Sequence, residues 1–99
     1  MSLHMFFCMN QQFIIGEIQA NYVGSYQIYQ PALVLKNGNG SVKIEACNLE
    51  NFSDDKYSIN IEKFKILYTL NQDFIPPEVL KLYYEFIYQH KVKEVHSNP

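Results

Sequence analysis

The segment Ser58-Ile59-Asn60-Ile61-Glu62-Lys63-Phe64-Lys65-Ile66-Leu67-Tyr68-Thr69 alternates apolar and polar residues twice, and the phase shifts between the two runs. Alternation with a period of two marks a strand with one buried face. Two short strands, Tyr57 to Glu62 and Phe64 to Leu70, therefore follow one another with almost no turn between them. A small, strongly bent sheet permits this, because the chain can swing from one half of the sheet to the other at a corner of about two residues. Glu62-Lys63 is the expected corner. Each flanking strand then keeps one unpaired edge, and one edge of a copy can accept the other edge of the next.

Upstream, Leu3 to Met9 reads as a strand and Asn10-Gln11 as a turn. Gln12 to Ala20 is a clearer strand, with Ile14, Gly16, Ile18 and Ala20 on one face. A glycine inside a strand marks a bulge, a bend or a close backbone approach. Tyr26 to Lys36 is a long strand with Tyr26, Ile28, Ala32 and Val34 expected on one side and Tyr29, Leu33 and Leu35 on the other. Pro31 donates no hydrogen bond at its centre, so the strand must bend, bulge or lie at an edge there. Asn37-Gly38-Asn39-Gly40 is the strongest turn signal, since Asn-Gly favours positive φ. Its partner strand, Ser41 to Leu49, should turn Val42, Ile44 and Ala46 to the core.

Downstream, Pro76 and Pro77 suit the start of a helix, where a missing N–H costs nothing. Glu78 to Val92 reads as that helix, with Val79, Tyr83, Phe86, Ile87 and His90 as an apolar stripe widened by Leu80, Leu82 and Tyr84. So wide a stripe should be covered by the sheet or by a neighbouring subunit. Val95 to Pro99 is expected to fray.

These elements make one domain of 99 residues, mainly β: a small, strongly bent, five- to six-stranded antiparallel barrel over about 3–71 with a C-terminal helix over about 77–92. A domain of this size buries a modest share of its surface and is often helped by oligomerisation. The net charge is −2, and all eight basic residues are lysines. Without arginine the chain lacks the usual fork for phosphate and guanine, which counts against charge-driven nucleic-acid binding but leaves stacking and amide contacts open. Apolar runs are only a few residues long, so no membrane span is expected, and with no basic-then-apolar leader the expected setting is cytoplasmic. Cys8 and Cys47 read as buried free thiols. His4, His90 and His96 sit near the ends, and Glu50, Asp54 and Asp55 match no cation-loop spacing, so no metal or other cofactor is expected.

Ile59-x-Ile61, the corner and Ile66-Leu67-Tyr68 together resemble the Sm-like (LSm) family, whose last two strands flank a very short turn. Ile14, Gly16 and Ile18 resemble its first strand; the bent strand through Pro31 and the turn at 37–40 stand where its second strand and following loop would be. The resemblance covers roughly residues 12–70, and the whole chain is similar to a group of small phage-encoded, marine Sm-like proteins. Glu62-Lys63 replaces the Arg-Gly usual in the family's last turn.

The resemblance implies a homo-oligomeric ring that binds single-stranded, U-rich RNA, in phage or host RNA regulation. Carried over, the RNA contacts would come from Asn37 and Asn39 after the second strand and from Asn60, Glu62 and Lys63 at the last turn, with Tyr29 able to stack on a base. The rival is an assembly or adaptor protein that uses the ring without nucleic acid, suggested by the negative charge, the missing arginine and the broad apolar helix. No nucleophile, base and orienting group cluster in the sequence, so an enzyme is not expected.

Overall fold

The computed structural model describes residues 2–47 and 57–97, with side chains through Gln89. Six antiparallel strands form one sheet: β1 (Ser2–Cys8), β2 (Phe13–Asn21), β3 (Ser25–Lys36), β4 (Val42–Ala46), β5 (Ser58–Glu62) and β6 (Ile66–Asn71). A helix, α1 (Pro77–Ser97), follows. The sheet order is β4-β3-β2-β1-β6, and β5 also pairs with β3. Helix α1 starts at Pro77, as its missing N–H permits, and runs on through Ser97, so the expected fraying at Val95 is not seen. The acidic residues Glu50, Asp54 and Asp55 lie outside the described residues, as do the side chains of His90 and His96.

Pro31 divides β3. Ahead of it, Ser25–Tyr29 pair with β5; beyond it, Ala32–Lys36 pair with β4. One long strand thus carries two short partners along the same edge, and the residue that cannot donate sits where they meet. Gln30, just before it, adopts φ +50. The β2–β3 register slips here between Ile15 and Glu17. This bulge corrects the expected face assignment. Tyr26 and Ile28 pack with Phe6, Cys8 and Ile14, but beyond the bulge it is Leu33 that joins them. Ala32 and Val34 turn to the opposite face, with Leu3, Met5 and Ile15. One extra residue inverts every side chain that follows.

Gly16 faces this bulge. A Cβ built on it would meet the Ile28 side chain, the Tyr29 carbonyl oxygen at 3.0 Å and Pro31 Cα at 3.4 Å. The close approach expected of a strand glycine is therefore real, and it lets β2 and β3 bend together.

The sheet carries a core on each face. Helix α1 covers one, with Val79 and Tyr83 buried on Ile15, Ala32 and Ile75; Val42, Ile44 and Ala46 of β4 pack there as expected. The inner, concave face gathers Phe6, Cys8, Ile14, Ile28 and Ile61, joined by Ile59 and Ile66. Across β2, β1 and β6, Phe7 lies 4.6 Å from Phe13 and 5.1 Å from Tyr68, ring to ring, as directly opposed residues should.

The expected corner is present in a slightly wider form. A single 3-10 turn, Lys63–Lys65, separates β5 from β6, which starts at Ile66. The Lys63 N–H donates to the Gly24 carbonyl at 2.9 Å, and the Met9 N–H donates to the Lys65 carbonyl at 2.8 Å. Gly24 and Met9 flank opposite ends of β2, a nine-residue strand that would span about 30 Å if straight. The corner itself covers only about 6 Å at a 3-10 rise, so the sheet must curl until the two turns nearly meet. It does not close, however: β5 and β6 pair with β3 and β1, not with each other, so the closed form of the expected barrel is not present in the single chain. A groove of about 550 Å³ runs along the opening, lined by Cys8, Ile14, Ile59, Ile61 and Phe64.

Candidate nucleic-acid interface

The corner meets the β2–β3 turn in a compact polar cluster. Lys63 extends across the turn, its ammonium donating to Asn21 Oδ1 at 2.6 Å and lying 4.7 Å from the centre of the Tyr26 ring. The ring's negative face attracts the cation. Tyr26 is in turn seated on Phe6, 5.6 Å away. On the other face of β3 a chain of side chains crosses from the turn to β5: Tyr22 OH donates to Gln27 Oε1 at 3.4 Å, and Gln27 Nε2 donates to Ser58 Oγ at 3.0 Å. Asn60, exposed, stands opposite Gln27 in the β3–β5 register. Tyr22 and Val23 project furthest, at 54% and 101% exposure.

Of the residues singled out from the sequence, Lys63 enters this cluster; Glu62 precedes it in the chain, and Asn60 stands on the opposite face of the sheet, with Gln27. Tyr29 is half-buried opposite Ser58, at the far end of β5 from the corner. Asn37 and Asn39 do not join them: they lie beyond the other end of β3. There they hold the hairpin, Asn37 Nδ2 donating to Ser41 Oγ at 2.9 Å and the Ser41 amide to Asn39 Oδ1 at 3.0 Å, with Gly40 at φ +88. The residues the sequence did not point to are Asn21, Tyr22 and Tyr26. Asn21 to Ser25 already reads as a turn in the sequence, but its meeting with the corner depends on the curl of the sheet.

The charge in the cluster is largely internal. Lys65 is 3.5 Å from Glu62 across one turn, an exposed pair of small worth. Lys63 is therefore the cation set toward the turn. Elsewhere, burial pushes the Cys47 thiol up to about 11, with a smaller push from Cys8, and burial also raises Cys8. Both thiols stay protonated and weakly nucleophilic near neutral pH. Burial raises Tyr83 and, with Cys47, Tyr57. Among the described residues no three His, Cys, Asp or Glu side chains gather to hold a metal ion, and no helix is long and apolar enough to cross a membrane.

No protein-family model matches the chain, and no match is found among curated proteins.

Proposed function

We propose that this protein is a subunit of an Sm-like homo-oligomeric ring that binds single-stranded RNA through the cluster of Asn21, Tyr22, Tyr26, Asn60 and Lys63. The observation that carries the reading is the corner at Lys63–Lys65, which sends β5 and β6 to opposite ends of an unclosed sheet. The two edges differ from the third. β4 carries Lys43 and Glu45 as an exposed ion pair at 3.2 Å and lies beside α1, both devices that discourage edge pairing. β6 is uncharged, carries the exposed Leu67 and Tyr68, and follows the exposed Phe64. β5 has the apolar groove alongside it. A neighbour's β6 laid against β5 would cover that groove and extend the sheet, and the repeat would close a ring if its rotation allows.

At each subunit the cluster offers an aromatic face for a base, amides for base edges and one lysine for phosphate. Base stacking contributes about 1–3 kcal/mol per base, more than one exposed lysine is worth. Light scattering at micromolar concentration, followed by titration with a U-rich oligomer at low salt, tests both halves. The expected results are a multimer and an affinity lost in Tyr22→Ala. A monomer sinks the ring. A multimer with no affinity, or with affinity indifferent to Tyr22→Ala, favours the adaptor reading instead.

A further inference from the structure

Gln30 is the single polar residue in the described core, at 6% exposure, and its backbone is bonded in two directions. Its carbonyl accepts from the Tyr83 hydroxyl of α1 at 2.9 Å, a buried bond. Its amide donates to the carbonyl of Tyr57, at the head of β5, at 3.3 Å. Gln30 holds φ +50 without being glycine, a conformation that costs free energy and persists where surroundings enforce it. The surroundings here are Tyr83, fully buried, and Gly16, whose missing side chain leaves room for Ile28 and Tyr29.

We infer that α1 is the element that holds β5 in place, acting through Gln30: Tyr83 fixes the bulge, the bulge fixes the bend of β3, and the bend sets where β5 lies. Tyr83 is thus a positioning residue for an edge it reaches through Gln30. A helix that only covered the core would need no hydroxyl at this point; phenylalanine would fill the same space. The hydroxyl spans 53 residues of sequence to reach the Gln30 carbonyl at the bulge. Anything that lifts α1 would then also loosen β5, whereas β1 and β2, paired to each other over six residue pairs, would stay closed. The consequence for assembly rests on the proposed ring. The coupling of α1 to β5 does not, and it can be read in a monomer.

Hydrogen exchange on the full chain with Tyr83→Phe tests the coupling. The expected result is faster exchange, by about tenfold for one lost buried hydrogen bond, at the amides of α1 and of Gln30 and β5 alike, with β1–β2 amides unchanged. Acceleration confined to α1, or spread evenly over β1 and β2, overturns the inference. Should the variant fail to fold, the wild-type protein in increasing sub-denaturing urea serves instead. There α1 and β5 amides are expected to share one opening free energy and one urea slope, below those of β1 and β2; separate values for α1 and β5 overturn the inference.

Discussion

Gly16 lies where two backbones approach too closely for a side chain, and its cost of replacement follows from what surrounds it. Two of the three nearest atoms to an added Cβ belong to the β3 backbone, the Tyr29 oxygen and Pro31 Cα. Backbone cannot rotate aside as a long side chain would, and here it is pinned on both edges by β2 and by β5 or β4. Gly16→Ala should therefore destabilise the fold by about 1–3 kcal/mol, the range for overpacked interiors. Urea unfolding at fixed protein concentration reads this as a lower midpoint at an unchanged slope; an unchanged midpoint would show that β3 has slack. Gly16 and Pro31 were both legible in the sequence as points where a strand must yield, because glycine and proline announce their backbone needs. Gln30 was not. A glutamine at positive φ carries no local signal, since the conformation is imposed by Pro31 after it, Gly16 across from it and Tyr83 above it. Gln30 lies in the bulge that inverts the faces of β3, which is why plain alternation puts Ala32 and Val34 beside Ile28 while the structure has them on the other side.

The strands show the same division. Their existence and most of their extents follow from alternation, and the corner between β5 and β6 follows from the phase shift in it. What alternation leaves open is which strand each one pairs with. That β3 would carry both β4 and β5 on a single edge depends on a bulge half-way along it, and that Asn21–Ser25 rather than Asn37–Gly40 would meet the corner depends on the curl of β2. The corner itself is thus legible in the sequence, and which residues adjoin it in space is not. The edges themselves support a direct prediction. Leu67 is 59% exposed on β6 and belongs to neither core. Leu67→Lys should leave the stability of a single subunit within about 0.5 kcal/mol, as surface changes usually do. A lysine on an edge strand discourages pairing, so the mass seen by light scattering should fall toward one subunit. Retention of the wild-type multimer by this variant would place the contact between copies away from β6.

The charge of the whole molecule limits the kind of nucleic-acid binding it can support. Each chain carries −2, so a ring of n copies carries −2n, and a polyanion approaches it against the mean field. Attraction must come from local groups. Lys65 is paired with Glu62, and Lys63 is the cation turned to Asn21 and Tyr26. Each engaged subunit then neutralises about one phosphate, and the logarithm of the binding constant should fall against the logarithm of salt with a slope of about −0.7 per subunit. Base stacking on the exposed Tyr22 and amide contacts, both insensitive to salt, must supply the remainder. Lys63→Gln should flatten the slope nearly to zero while weakening affinity only modestly, because the backbone N–H of residue 63 still donates to the Gly24 carbonyl and keeps the turn in place. Lys43→Gln, on β4 and away from the cluster, should leave slope and affinity unchanged. Oligouridine titrations at several salt concentrations on the three proteins separate the cases. A slope that survives Lys63→Gln, or one that collapses with Lys43→Gln, would move the phosphate contact off the corner and take the interface proposed here with it.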